Sequence, residues 1–172
     1  NIYSDNNIEG SSKNPDETLQ NARKHVAKLK KHNILSFPLE LVIYPSMYCD
    51  LKCGFCFLAN REDRNAKPAK DWERILRQAK DNGVLSVSIL GGEPTRYFDI
   101  DNLLIACEEL KIKTTITTNA QLIKKSTVEI LAKSKYITPV LSLQTLDPKL
   151  NFELMGVRPV SYTHLRAHET LS

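Results

Sequence analysis

Residues 48 to 57 read YCDLKCGFCF and hold three of the four cysteines of this chain. Cys49, Cys53 and Cys56 have the spacing C-x3-C-x2-C. A structural zinc site usually takes four ligands as two separated pairs, and a disulfide would leave one of the three cysteines over. A nucleophilic cysteine needs no two neighbours. Three clustered thiolates instead suit a [4Fe–4S] cluster with one iron left free for another ligand, by analogy with catalytic metal sites that keep an open position.

The fourth cysteine, Cys107, belongs to a different element. It lies on an apolar stripe of a predicted helix with Ile100, Leu103 and Leu110, so we expect it in the hydrophobic core. Small Gly54, between the second and third cysteines, is expected to let the loop wrap around the cluster. A non-catalytic iron–sulfur electron carrier remains an alternative, and it would need four protein ligands.

Strands and helices alternate outward from the cysteine loop. Periodicity and turn residues predict strands at 39–44, 84–90, 113–118 and 137–144, and helices near 69–82, 99–110, 126–134 and 147–156. The last two helices have start signals, a capping box at residues 126–129 and Asp147 followed by Pro148. This order indicates an α/β fold with a parallel sheet, either doubly wound or part of a (β/α) barrel.

Each unusual motif follows a predicted strand. The cysteine loop follows the first strand, GGEPT the second and TTNA the third, while SLQTLD ends the fourth. Because sites in such folds lie at the carboxyl ends of the strands, we expect these motifs to share one site.

The cysteine loop, with Phe55 just before its third cysteine, and GGEP at residues 91–94 resemble the radical S-adenosylmethionine (radical SAM) superfamily over about residues 39–157. The resemblance implies a partial (β/α)6 barrel, of which about four βα units are present. It also implies an enzyme that cleaves S-adenosylmethionine reductively and uses the 5′-deoxyadenosyl radical to take a hydrogen atom from its substrate.

Site residues follow from the same resemblance. Cys49, Cys53 and Cys56 would hold the [4Fe–4S] cluster, and S-adenosylmethionine would bind its fourth iron. The residues implied in binding this second cofactor are Phe55 near the adenine, Gly91, Gly92 and Glu93 at the methionyl amino group, and Ser142 at the ribose. Asn119 and Gln144 would contact cofactor or substrate. The alternatives are a plain tight turn for the glycines, a plain strand position for Ser142 and loop capping for Asn119 and Gln144.

The motifs are closest to the branch that modifies peptides and proteins, the SPASM-type enzymes, so we expect a peptide or protein substrate. A radical SAM enzyme of cofactor biosynthesis, acting on a small molecule, is the alternative. The resemblance also implies an electron donor such as flavodoxin or ferredoxin.

Composition agrees with a globular enzyme. The chain is 41% hydrophobic and 26% charged with a net charge of +4, and the basic run at 23–32 has helical spacing. We therefore expect no nucleic-acid or membrane partner, and the clustered cysteines favour the reducing cytoplasm.

The chain divides into three predicted parts. Residues 1–37 form a polar segment and a helix that starts at Asn14, and residues 38–158 form the radical SAM core. Residues 159–172 are expected to be a non-native tail derived from a sequencing adaptor, with a native terminus as the alternative, and no role is given to His164 or His168. We expect a fragment that is inactive by itself, with a bare edge on its fourth strand.

Overall fold

The structure is a computed structural model that describes residues 20, 23, 24, 27, 38–58 and 66–156. Residues 20, 23, 24 and 27 are helical and exposed. The remainder of the predicted first helix, with its Asn14 cap, lies outside the described residues, and so does the predicted tail at 159–172. Among the described residues, no helix has the length and apolar character needed to cross a membrane.

Four strands alternate with helices along the described chain. In order they are β1 (Glu40–Ile43), α1 (Ala69–Asp81), β2 (Ser86–Ile89), a 3-10 turn (Pro94–Arg96), α2 (Ile100–Glu109), β3 (Lys113–Thr118), α3 (Lys125–Lys133), β4 (Ile137–Leu141) and α4 (Pro148–Met155). The strands form one parallel sheet in the order β1-β2-β3-β4. The predicted α/β class is confirmed, and each strand follows its neighbour through a helical crossover.

The hydrophobic core lies between one face of the sheet and the helices. Val87, Ile89 and Ile116 supply the strand side chains, and Leu76 of α1 and Leu104 of α2 pack against the same cluster. Cys107 is fully buried there, so its predicted place in the core is confirmed. In β2 and β3 the residues on the opposite face are polar, and the hydroxyls of Ser88 and Thr115 lie 2.9 Å apart there.

The predicted capping box at residues 126–129 is wrong. Helix α3 begins at Lys125, after Lys124, and its first turn has no side-chain cap. The Ser126 and Thr127 hydroxyls instead donate hydrogen bonds of 2.7 and 2.6 Å to the Asp101 carboxylate of α2. These hydroxyls thus bind a side chain of another helix instead of capping the start of their own helix. The start of α4 is as predicted, because Asp147 accepts hydrogen bonds from the first turn of that helix.

Strand β4 has one neighbour among the described residues. It pairs with β3 along Ile137–Leu141, and its Val140 and Leu141 side chains are exposed. Pro139, which has no backbone N–H to donate, lies within this strand opposite Ile116. In the described part of the chain, β4 is therefore a sheet edge, as predicted.

Candidate functional site

The loops that follow the four strands surround one cavity of about 220 Å³. All ten residues singled out from the sequence line it, namely Cys49, Cys53, Phe55, Cys56, Gly91, Gly92, Glu93, Asn119, Ser142 and Gln144. Parallel strands bring their carboxyl ends to the same edge, which explains why motifs distant in sequence meet there. The structure thus brings the predicted residues together, while their individual roles depend on the contacts described next.

The two glycines after β2 lie directly against the chain that leads into the cysteine loop. The N–H of Gly92 donates to the Ser46 carbonyl at 3.1 Å, and the N–H of Glu93 donates to the Tyr48 carbonyl at 2.7 Å. A Cβ on Gly92 would lie 2.2 Å from the Tyr48 oxygen, and one on Gly91 would lie 2.3 Å from the Ser46 oxygen. The backbone of residues 46–48 approaches both glycines so closely that a side chain at either position would clash with it.

Glu93 is a buried junction rather than a free carboxylate. Its side chain is 2% exposed. Oε1 accepts hydrogen bonds from the Thr95 N–H and from the Thr95 and Thr118 hydroxyls, at 2.9, 2.6 and 2.6 Å. Oε2 accepts from the Asn119 N–H at 2.7 Å. Only Oε2 keeps room for another donor, so an ammonium group in the cavity would depend mainly on backbone carbonyls.

Asn119 caps its own loop. Its side-chain oxygen accepts from the Gln121 N–H at 2.9 Å, and its side-chain nitrogen donates to Asp50 Oδ1 at 3.0 Å. Of the two interpretations of this residue, loop capping is the one its side-chain hydrogen bonds match. The contact with Asp50, next to the first cysteine, was not anticipated from the sequence.

Ser142 and Gln144 form the rim of the cavity beyond β4. The Ser142 N–H donates to the Thr118 carbonyl at 2.8 Å, which continues the pairing with β3 past the end of β4. Gln144 is exposed, and its amide nitrogen donates to the Ser142 hydroxyl at 3.2 Å. One hydrogen bond therefore links these two polar side chains beside the cavity.

The three loop cysteines are partly buried free thiols. Burial raises the pKa of Cys49 to about 11, the Leu51 N–H lowers it, and the charges of Asp50 and Glu93 raise it further. Burial is also the main cause that raises the pKa of Cys53. Raised pKa values keep the Cys49 and Cys53 thiols protonated at neutral pH, so metal binding must displace their protons.

The donor set fits a cluster better than a single ion. Among the described residues, no three Cys, His, Asp or Glu side chains converge as the ligands of one metal ion would. A [4Fe–4S] cluster does not need such convergence, because each thiolate binds its own iron. The three thiols also share one cavity wall with Gly91 and Gly92.

Gly54 lies in open space within the cysteine loop. A Cβ placed on it would have no heavy atom within 4 Å. Its N–H donates to the Leu154 carbonyl at 3.2 Å, so the end of α4 holds the middle of the cysteine loop. Met155 of the same helix is 4% exposed and lines the cavity. Met155 was not predicted as a site residue from the sequence. The one signal for it was its position at the end of the predicted helix that follows the fourth strand.

Aromatic side chains stand at the open side of the loop. Phe55 and Phe57 line the cavity and are 57% and 75% exposed. Phe55 was singled out from the sequence and Phe57 was not. Exposed rings of this kind beside a cavity are suited to stacking against a planar ligand.

Comparisons with known proteins agree with this geometry. Residues 43–172 match the model of the Radical SAM superfamily. Over 92% of its length the chain is 94% identical, with a TM-score of 0.73, to Streptococcus suis SuiB in a crystal structure with bound S-adenosylmethionine. It is 97% identical, with the same TM-score and coverage, to SuiB in a crystal structure with bound precursor peptide SuiA. PqqA peptide cyclase of Bradyrhizobium diazoefficiens is 27% identical over 123 residues, which is 70% of this chain.

The chain is shorter than these relatives. It covers 36% of the SuiB chain and 32% of the PqqA peptide cyclase. The chain therefore spans about a third of the length of the proteins it matches.

Proposed function

This chain belongs to the radical SAM superfamily, and we propose from that membership that it forms the cofactor-binding part of an enzyme that modifies peptides. The observation that carries the proposal is the shared cavity, which the three cysteines and the GGE segment line together. Two backbone hydrogen bonds, Gly92 N–H to Ser46 and Glu93 N–H to Tyr48, fix these two motifs relative to each other. Neither motif alone would support the proposal as strongly.

In this proposal Cys49, Cys53 and Cys56 hold a [4Fe–4S] cluster. Together with bound S-adenosylmethionine, this cluster would supply a one-electron cleavage of S-adenosylmethionine. The cleavage yields a radical able to take a hydrogen atom from the substrate. The backbone carbonyls of Gly91 and Gly92, which line the cavity, would accept hydrogen bonds from the methionyl ammonium group. Glu93 would act by holding the ends of β2 and β3 in register around the cavity.

The rim residues have separate roles in the proposal. Phe55 would lie against the adenine ring, and the Ser142 hydroxyl, already paired with Gln144, would reach the ribose. Closure of the cavity around the cofactors would exclude water from a reactive radical. The protein thus supplies orientation and shielding, while the cofactors carry the reaction.

Two similarities to known proteins support a peptide substrate. One relative is a peptide cyclase, and SuiB has been crystallised with a precursor peptide. We propose a ribosomal peptide or a protein segment as the substrate, and a flavodoxin- or ferredoxin-type protein as the electron donor. We also propose the cytoplasm as the compartment, since the four cysteines are free thiols.

The test is anaerobic reconstitution of the chain with iron and sulfide. We expect about four irons per chain, as for one cubane cluster. Addition of S-adenosylmethionine should then change the EPR spectrum of the reduced cluster, because the cofactor binds an iron directly. An unchanged spectrum would contradict direct binding. Formation of 5′-deoxyadenosine with a peptide, but not with small-molecule substrates, would distinguish the two proposed substrate classes in the longer protein.

A further inference from the structure

The side chain of Asp50 lies next to the first cysteine and is held in place by a hydrogen bond from another loop. Asp50 Oδ1 accepts a hydrogen bond of 3.0 Å from the side-chain nitrogen of Asn119. The same oxygen lies 3.9 Å from the sulfur of Cys49, within reach of the thiol proton. Asp50 Oδ2 is buried and has no hydrogen-bond partner among the described residues.

This arrangement is costly for the protein. A buried carboxylate oxygen without a donor is destabilising, and a thiolate at Cys49 would repel the charge of Asp50. The carboxylate cannot easily turn away, because Asn119 is itself fixed by Glu93 and by the Gln121 N–H. The carboxyl group of Asp50 is therefore held in one position beside the sulfur of Cys49.

We propose that Asp50 lowers the reduction potential of the cluster and, through Asn119, fixes the position of its first ligand. The inference rests on the proposed function, because it requires a cluster at Cys49. The reduction potential of an iron–sulfur cluster depends on the net charge, hydrogen bonds and solvent around it. A fixed negative charge next to one ligand disfavours the addition of an electron, so the reduced cluster becomes a stronger one-electron donor.

The charge and the shape of Asp50 can be separated. Asp50→Asn removes the charge, and its amide oxygen can still accept from Asn119. Asp50→Glu keeps the charge on a longer side chain. Asp81→Asn is the matched control, because Asp81 is exposed at the end of α1. This helix leads to the amino end of β2, whereas the cavity lies at the carboxyl ends of the strands. All three variants are reconstituted anaerobically, and the iron content and the midpoint potential are measured by EPR-monitored titration.

The expected result is a higher midpoint potential in Asp50→Asn at full iron content, with Asp50→Glu and Asp81→Asn close to the parent. If Asp50→Asn takes up no iron while Asp50→Glu takes up the parental amount at the parental potential, the need for a carboxylate supports the part of the inference that concerns the position of the first ligand. Parental potentials in both Asp50 variants would overturn it. A parent chain that assembles no four-iron cluster would overturn the proposed function itself.

Discussion

Glu93 Oε2 accepts a 2.7 Å hydrogen bond from the backbone N–H of Asn119, and this bond joins the loop after β2 to the loop after β3. The other oxygen of the same carboxylate binds the Thr118 hydroxyl at the end of β3. One buried side chain therefore sets the distance between two walls of the cavity. The role of these hydrogen bonds is structural, although Glu93 belongs to the GGEP motif that contributes to the family resemblance.

Replacement of Glu93 by alanine is expected to destabilise the fold strongly. Four donors would lose their acceptor in a buried place, and each unsatisfied group costs about 1–3 kcal/mol, so a total above about 3 kcal/mol is expected. Urea unfolding of the metal-free chain measures this loss. Glu109→Ala is the control, because Glu109 is exposed on α2. Equal unfolding midpoints for the two variants would contradict the role of Glu93.

Two glycine substitutions should have opposite outcomes. Gly92→Ala places a Cβ 2.2 Å from the Tyr48 carbonyl oxygen. The backbone at residue 92 and the backbone at residue 48 cannot move apart without displacing the cysteine loop. Gly54→Ala adds a Cβ with no heavy atom within 4 Å, although Gly54 lies inside the loop itself. We expect Gly92→Ala to lower iron uptake and Gly54→Ala to keep it. The reverse order would show that the loop does not depend on its pairing with the glycines.

The three loop cysteines should be required for iron and the fourth should not. Alanine at position 49, 53 or 56 removes one thiolate from the proposed cluster, so iron content after reconstitution should fall to near background. Cys107→Ala should keep the parental content, since Cys107 is buried in the core between α2 and the sheet. A loss of iron in Cys107→Ala, together with one dispensable loop cysteine, would favour the electron-carrier alternative.

Alkylation of the metal-free chain should show the raised pKa of Cys49. With a pKa of about 11, only about 0.1% of this thiol is thiolate at pH 8, against roughly a quarter for an ordinary cysteine of pKa about 8.5. The rate of alkylation at Cys49 should therefore be about 10²-fold below that of the urea-unfolded chain, and it should rise steeply up to about pH 11. Peptide mapping by mass spectrometry separates this site from the other cysteines. Equal rates in folded and unfolded chains at pH 8 would contradict the shift.

The alternation of strands and helices and the shared site could be predicted because local pattern and general topology agree. Strands at 39–44 and 113–118 have clear boundaries in the sequence, and parallel pairing then leads all the motif-bearing loops to one edge. The family resemblance added the expected ligands, and the match over residues 43–172 confirms that resemblance.

The roles of particular side chains were harder to predict, because they depend on contacts between distant segments. Ser126 and Thr127 have the local signature of a helix cap, yet Asp101, about 25 positions earlier, takes both hydroxyls. The glycines after β2 suggested room for a ligand, and the structure fills part of that room with the backbone of residues 46–48. Asp50 gave no signal, because its partner Asn119 lies on another strand end.

The cysteine loop is anchored unequally along its length. Around Cys49 the sheet holds it through the Ser46 and Tyr48 carbonyls. In its middle, the Cys56 N–H closes a local turn onto the Cys53 carbonyl, and the hydrogen bond from Gly54 to Leu154 joins it to another described element. Ordering a residue's backbone costs roughly 1–2 kcal/mol in conformational entropy. In the metal-free chain that entropy has already been removed near the first ligand, so the freedom that metal binding must still remove is concentrated around Cys53 and Cys56.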